Sequence, residues 1–291
     1  MIPARRARLL IAAAALLFST GGAAIKASDL SFPALASLRS LVAALVLFAC
    51  VPAARRRPSA TTVWTALAYA ATMILYVAAT RLTTAASVGF LQGTAPLYLL
   101  FLAPLLLGER WRVRELRFLL ILCGALAVFL LAPDRPQESA PDPILGNYLA
   151  LGTGFAWGVT LCGLRALGRG GHEALAAIAL GNLFAFLAAL PFAWPLPALS
   201  ETDLAVVLWL GVFQIALAYL CATRGLRHVP ALQAALLFFL EVAFNPIWTF
   251  VFHGERFGVW TLFAGALLIL TGLWFAWVQE RGDQGESSPP V

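Results

Sequence analysis

Apolar stretches alternate along the whole chain with short breaks rich in charge, Pro and Gly. They fall at 7–26, 32–52, 61–81, 83–107, 115–132, 144–167, 173–194, 202–224, 230–253 and 257–278. Their lengths suit helices that cross a hydrocarbon layer, which takes about 20 residues. The pattern predicts an all-α membrane protein with ten transmembrane helices. The breaks between them are compact, as in Ala53-Ala54-Arg55-Arg56-Arg57-Pro58, Gly108-Glu109-Arg110-Trp111-Arg112 and Gly168-Arg169-Gly170-Gly171. Residues 279–291 turn polar and read as a disordered cytoplasmic tail.

The pattern also repeats. Leu75-Tyr76-Val77-Ala78-Ala79-Thr80-Arg81 in the third stretch lines up with Ala218-Tyr219-Leu220-Cys221-Ala222-Thr223-Arg224 in the eighth. Gly108-Glu109-Arg110 lines up with Gly254-Glu255-Arg256, and Gly124-Ala125-Leu126 with Gly265-Ala266-Leu267. Phe18 and Lys26 of the first stretch stand against Trp157 and Arg165 of the sixth. The chain therefore divides into a first five-helix repeat at 1–137 and a second at 138–278. Five crossings are an odd number, so the two copies run through the membrane in opposite senses, a 5+5 inverted repeat typical of secondary transporters. The opening Arg5, Arg6 and Arg8 before an apolar run also fit a signal peptide, but cleavage there would leave the sixth stretch without its counterpart. The first helix is expected to stay.

Charge adds orientation. With the N-terminus inside, fifteen Lys and Arg residues fall on the inner side and four on the outer. Positive charge is retained in cytoplasmic loops, so both termini are expected there. The overall composition, 61% hydrophobic and 12% charged over 291 residues with a mean hydropathy of +0.86, leaves no room for a sizeable soluble domain. The net charge of +6 is scattered over short connections and sets topology, so no nucleic-acid partner is expected. Cys50, Cys123, Cys162 and Cys221 lie in or beside apolar runs without a CxxC pair, which argues against disulfides and metal.

On these residues, together with Ala24-Ile25-Lys26-Ala27, Arg39 and Pro96-Leu97-Tyr98, the chain resembles the drug/metabolite transporter superfamily. Within it the resemblance is to EamA-type exporters, most closely those for aromatic amino acids, and it covers about Leu9 to Val278. It implies export of amino acids or related metabolites across a bacterial inner membrane, around a cavity formed by spans 1–4 and 6–9. The four-span relatives carry a proton-coupling Glu in their first helix. Span 1 has none here, so proton coupling is not inherited by analogy and stays an open possibility.

Charges inside spans are costly and mark functional candidates. Arg39 and Glu241 lie well inside, and Glu241 has Asn245 one turn on, with Pro246 freeing the carbonyl of residue 242. Carboxylate, amide and free carbonyl would suit an ammonium group; a helix-interface hydrogen bond or an ion pair with Arg39 is the structural alternative. Tyr76, Gln92, Tyr98, Trp157, Asn182, Gln214 and Tyr219 supply aromatic walls and fixed polar groups for a substrate, or else pack between helices. Gln92 and Trp157 sit in the GxxxG segments 89–93 and 154–158. Lys26 and Arg165 end spans 1 and 6 and read as mouth charges or snorkelling anchors, while the two Gly-Glu-Arg corners read as local capping turns. His172, His228 and His253 are scattered at span ends, and Asp29, Asp134, Asp142, Asp203 and Asp283 lie in loops, turns or the tail. They form no acidic pair, metal set or Ser/His arrangement, and no Walker A loop is present for ATP hydrolysis, so neither an enzyme nor a cofactor is expected. The partners are a small molecule and the bilayer, the protein being a monomer or a homodimer. An exporter of cationic amphiphiles, a channel and a non-transporting subunit are the alternatives.

Overall fold

The computed structural model describes residues 3–107, 113–132, 134–168, 172–229 and 231–286. Helix occupies every one of the apolar stretches. These are α1 (Ala4–Ser19), α2 (Gly21–Lys26), α3 (Phe32–Cys50), α4 (Ala60–Leu82), α5 (Ala85–Gln92), α6 (Ala95–Leu107) and α7 (Val113–Leu131). After them come α8 (Pro143–Ala166), α9 (His172–Ala193), α10 (Glu201–Leu208), α11 (Ala218–Leu226), α12 (Ala231–His253) and α13 (Val259–Glu286). Among the described residues six helices are long and apolar enough to cross a membrane: Arg5–Lys26, Phe32–Cys50, Ala60–Leu82, Pro143–Ala166, His172–Ala193 and Glu201–Leu226.

Three stretches that read as single helices are interrupted. The first breaks at Thr20 between α1 and α2, and the fourth at Gly93–Thr94 between α5 and α6. The eighth passes through π-helix at Trp209–Leu217 between α10 and α11, a form frequent at functional sites. The last helix, α13, runs on to Glu286. Gln279, Glu280 and Arg281 are good helix formers, and a helix already nucleated in the preceding apolar stretch extends through them at little cost.

Helix packing has a regular plan. The segment α1–α2 packs on α11, its preceding π-helix and α12, while α8 packs on α4, α5 and α6. The helix α3 packs on α9 and on the π-helix, α4 packs on α9, and α7 packs on α13. When each apolar stretch is exchanged for the one five places on, these pairings exchange with one another.

The connections between stretches one and two, three and four, five and six, seven and eight, and nine and ten gather on one face in a polar network. Asp203 accepts hydrogen bonds from the Ser28 hydroxyl (2.6 Å) and the Asp29 N–H (3.1 Å), and Arg81 donates to the Leu30 carbonyl (2.9 Å). Asp134 is buried and accepts from the Gly258 N–H, the Thr261 hydroxyl and the Thr84 hydroxyl. Asn147 accepts from Thr83, and the side chain of Gln137 bonds the backbone of Arg256 in both directions.

Candidate functional site

Two groups of residues are candidates for the functional site: this face, and a polar cluster deeper between the helices. On the face, Gly254 ends α12 with a positive φ of 61°, which a side chain would strain. Its N–H reaches the Phe250 carbonyl and the Glu255 N–H reaches the Thr249 carbonyl, closing the helix end. The turn sends the Glu255 side chain inward, 0% exposed, to meet the Lys26 ammonium at 2.8 Å, itself 4% exposed. Lys26 also donates to the carbonyls of Thr83 (3.0 Å) and Ser139. The second Glu255 oxygen accepts from the Ala85 N–H at the start of α5 (3.0 Å). Lys26 is thus no snorkelling anchor and Glu255 no local cap; the pair ties four parts of the chain together in a dry place. The matching corner at Glu109 and Arg110 lies outside the described residues, and Arg165 is exposed on the last turn of α8.

The deeper cluster is organised by the break in the first stretch. The Ser19 and Thr20 hydroxyls turn back onto the carbonyls of Leu16 and Leu17 (both 2.7 Å), satisfying the end of α1. Each hydroxyl also accepts an indole N–H at 3.0 Å, from Trp248 and Trp209 respectively. Beyond the break, a Cβ at Gly21 would stand 2.9 Å from Gln214 Nε2 and 3.6 Å from the Tyr76 hydroxyl. One at Gly22 would stand 2.5 Å from Asn245 Oδ1 and 2.7 Å from Ala85 Cβ. The two glycines therefore seat Tyr76, Gln214 and Asn245 around the start of α2. Asn245 donates to the Ala85 carbonyl (3.1 Å), so its oxygen faces away from that bond and has no donor. Gln214 Oε1, carried on the π-helix, has none either.

Arg39, 1% exposed, joins the cluster from α3. It donates to the Met73 carbonyl (2.8 Å), while its Nε has no acceptor. Tyr69, Tyr76 and Tyr219 are its electrostatic neighbours, and Tyr76 and Tyr219 are also within electrostatic reach of Glu241. Glu241 sits half-buried mid-way along α12. No ion pair forms between Arg39 and Glu241. Tyr219 meets Tyr69 and Phe18 edge-on, with ring centroids 5.7 and 4.9 Å apart. Asn182 donates to the Tyr69 hydroxyl (3.4 Å) and the Ile178 carbonyl (2.9 Å), leaving its oxygen without a donor. Trp157 packs on the adjoining apolar core with Tyr69 and Met73.

Tyr98 and Gln92 stand apart from this cluster. Tyr98 donates weakly to the Leu151 carbonyl (3.4 Å) and packs edge-on against Phe155, where Gly154 and Gly158 let α8 approach α5 and α6. Gln92 ends α5 at its break, half-buried. In the 89–93 segment only Gly89 faces another helix, at Asn245, so that GxxxG is not a helix-pairing seam. The sequence reading passed over Gly21, Gly22, Trp209, Trp248 and the buried roles of Asp134 and Asp203. A signal existed for the glycines, which form the one adjacent Gly pair within a predicted span.

A polar cluster sealed beneath one closed face, inside helices that exchange in pairs, is the anatomy of a membrane transporter. The EamA-like transporter family model matches residues 5–132 and 144–278. The chain belongs to the EamA-like transporter family. Members of this family are transporters, not enzymes, so a small-molecule substrate and a lipid bilayer are this EamA protein's partners. A solved crystal structure, described only as that of a protein, is similar in fold, with a TM-score of 0.64 and 21% identity over 94% of this chain and 98% of that one. No curated protein matches.

Proposed function

We propose that this EamA protein exports amino acids, aromatic or otherwise apolar, and related metabolites across a bacterial inner membrane. Ten spans form two inverted halves with both termini cytoplasmic, and the halves rock around the cluster of Arg39, Tyr76, Gln214, Tyr219, Glu241 and Asn245. Trp157 and Asn182 form its flank. The observation that carries this reading is the exchange of helix pairings between stretches five places apart, since two equivalent halves give inward-open and outward-open states of similar energy. The family match in two segments supports the same division. The closed face built on Lys26 and Glu255 is then the outer gate.

Uptake of labelled phenylalanine, tryptophan, threonine and a cationic dye into proteoliposomes, with and without a pH gradient, tests this. Saturable aromatic uptake is expected, and its response to the gradient decides whether protons are coupled. Uptake of the dye alone would favour the second reading, a cationic-amphiphile exporter, for which Glu241 as the cluster's carboxylate speaks. No uptake by folded protein overturns both and leaves a channel or a non-transporting subunit.

A further inference from the structure

We propose that the cluster holds its substrate in one orientation, with a carboxylate on Arg39 and an ammonium group on Asn245 Oδ1, Gln214 Oε1 and Glu241. The inference rests on the transporter reading and sharpens it to zwitterions. A guanidinium removed from water needs a counter-charge, because its desolvation is not repaid by neutral neighbours. Among the described residues no carboxylate lies within ion-pairing distance of Arg39, and its Nε faces no acceptor. Neutral neighbours are what it has: the Met73 carbonyl and the tyrosine hydroxyls. The guanidinium fork matches a carboxylate in two bonds.

The groups around Gly21 and Gly22 have the opposite character. Around Gly21 and Gly22 lie two amide oxygens without donors, one of them fixed in orientation because the Asn245 amide N–H is engaged by the Ala85 carbonyl. Glu241 adds a carboxylate one turn before Asn245 on α12. Arg39 and Glu241 each lie within electrostatic reach of Tyr76 and Tyr219, so a donor without an acceptor and acceptors without donors share one set of rings and complement a molecule that carries both charges. A plain amine leaves Arg39 unanswered, and a plain acid leaves the amide oxygens unanswered, each at the cost of an unmade buried bond.

Binding to purified protein in nanodiscs separates these cases with three probes of one shape: phenylalanine, phenethylamine and 3-phenylpropionate. The wild type is expected to bind phenylalanine at least tenfold more tightly than either analogue. R39M is expected to bind phenylalanine and phenethylamine equally while still preferring phenylalanine over 3-phenylpropionate; E241Q is expected to keep the preference over phenethylamine and to narrow, without abolishing, the preference over 3-phenylpropionate, because the two amide oxygens remain. If R39M does not fold, R39K carries the test, with a several-fold smaller preference over phenethylamine expected. An Arg39 variant that keeps the wild-type preference overturns the proposal. So does wild-type protein that binds phenethylamine as tightly as phenylalanine, with transport itself left standing. Binding of none of the probes removes the amino-acid reading as well.

Discussion

Gly22 and its neighbour Gly21 show how differently one methyl group acts at adjacent positions. At Gly22 the new Cβ meets Ala85 Cβ, which is fixed to the α5 backbone and cannot turn away. Overpacking of this kind costs about 1–3 kcal/mol, so Gly22→Ala is expected to lower the thermal midpoint of the purified protein by several degrees. At Gly21 the nearest atom is the end of the flexible Gln214 side chain. Gly21→Ala is therefore expected to leave the midpoint within about a degree while raising the substrate concentration for half-maximal transport, because it moves a cluster amide. Equal midpoints for the two variants would show that α5 yields at Ala85. At this scale the sequence was only partly legible. A buried Arg39 and a mid-span Glu241 stand out because charge is rare in apolar stretches. What a glycine touches depends on helix register, and with 23 glycines in the chain composition does not single out two of them.

The helices themselves were legible because each apolar stretch is the unit of packing, and six of them among the described residues are long and apolar enough to cross a membrane. Their interruptions were not, since hydropathy counts apolar residues and is blind to the hydrogen-bond register. Neither the break at Thr20 nor the π-helix at Trp209–Leu217 alters hydropathy. The break is held by side chains: Ser19 and Thr20 each close the end of α1 and each take an indole N–H. Replacing Trp248 by Phe keeps the ring and removes the donor to Ser19, and Trp209→Phe does the same at Thr20. Each is expected to cost about 1 kcal/mol, the typical net worth of one hydrogen bond. The double variant is expected to depart from additivity by more than ~0.5 kcal/mol, because both indoles hold one short bend. Denaturation of the single and double variants in detergent checks this, and strict additivity would mean that the two tryptophans anchor α1 independently.

Across the whole molecule, symmetry and its violation carry different information. The symmetric pairings are those that exchange between stretches five places apart; the asymmetric ones report which face is closed. On the closed face α2 meets α4 and α5 meets α13. Their counterparts five places on, α8 with the π-helix or α11 and α12 with α7, have no comparably extensive contact among the described residues. The sequence shows the Gly-Glu-Arg corner but not its partner, because Lys26 lies far away along the chain and only the folded halves bring it to Glu255. The two residues do not play interchangeable parts. Lys26 answers the carbonyls of Thr83 and Ser139, which need a donor, and Glu255 answers the Ala85 N–H, which needs an acceptor. Glu255→Gln preserves shape and one acceptor but leaves a buried ammonium without its counter-charge, a loss of about 3–5 kcal/mol when one partner of a buried pair is removed. In a state where this face is open the pair is already apart and the same change costs little. Since ~1.4 kcal/mol is tenfold in a population, the open state should gain at least a hundredfold relative to the closed one. Ser87, 1% exposed on α5 just beneath the pair, is the place to detect it. In a Ser87→Cys protein whose four native cysteines are replaced by alanine, a membrane-impermeant thiol reagent applied to this face should label residue 87 at least tenfold faster once Glu255→Gln is added. An unchanged labelling rate in folded protein would reduce the Lys26–Glu255 pair to a passive tie that does not govern access to the cluster.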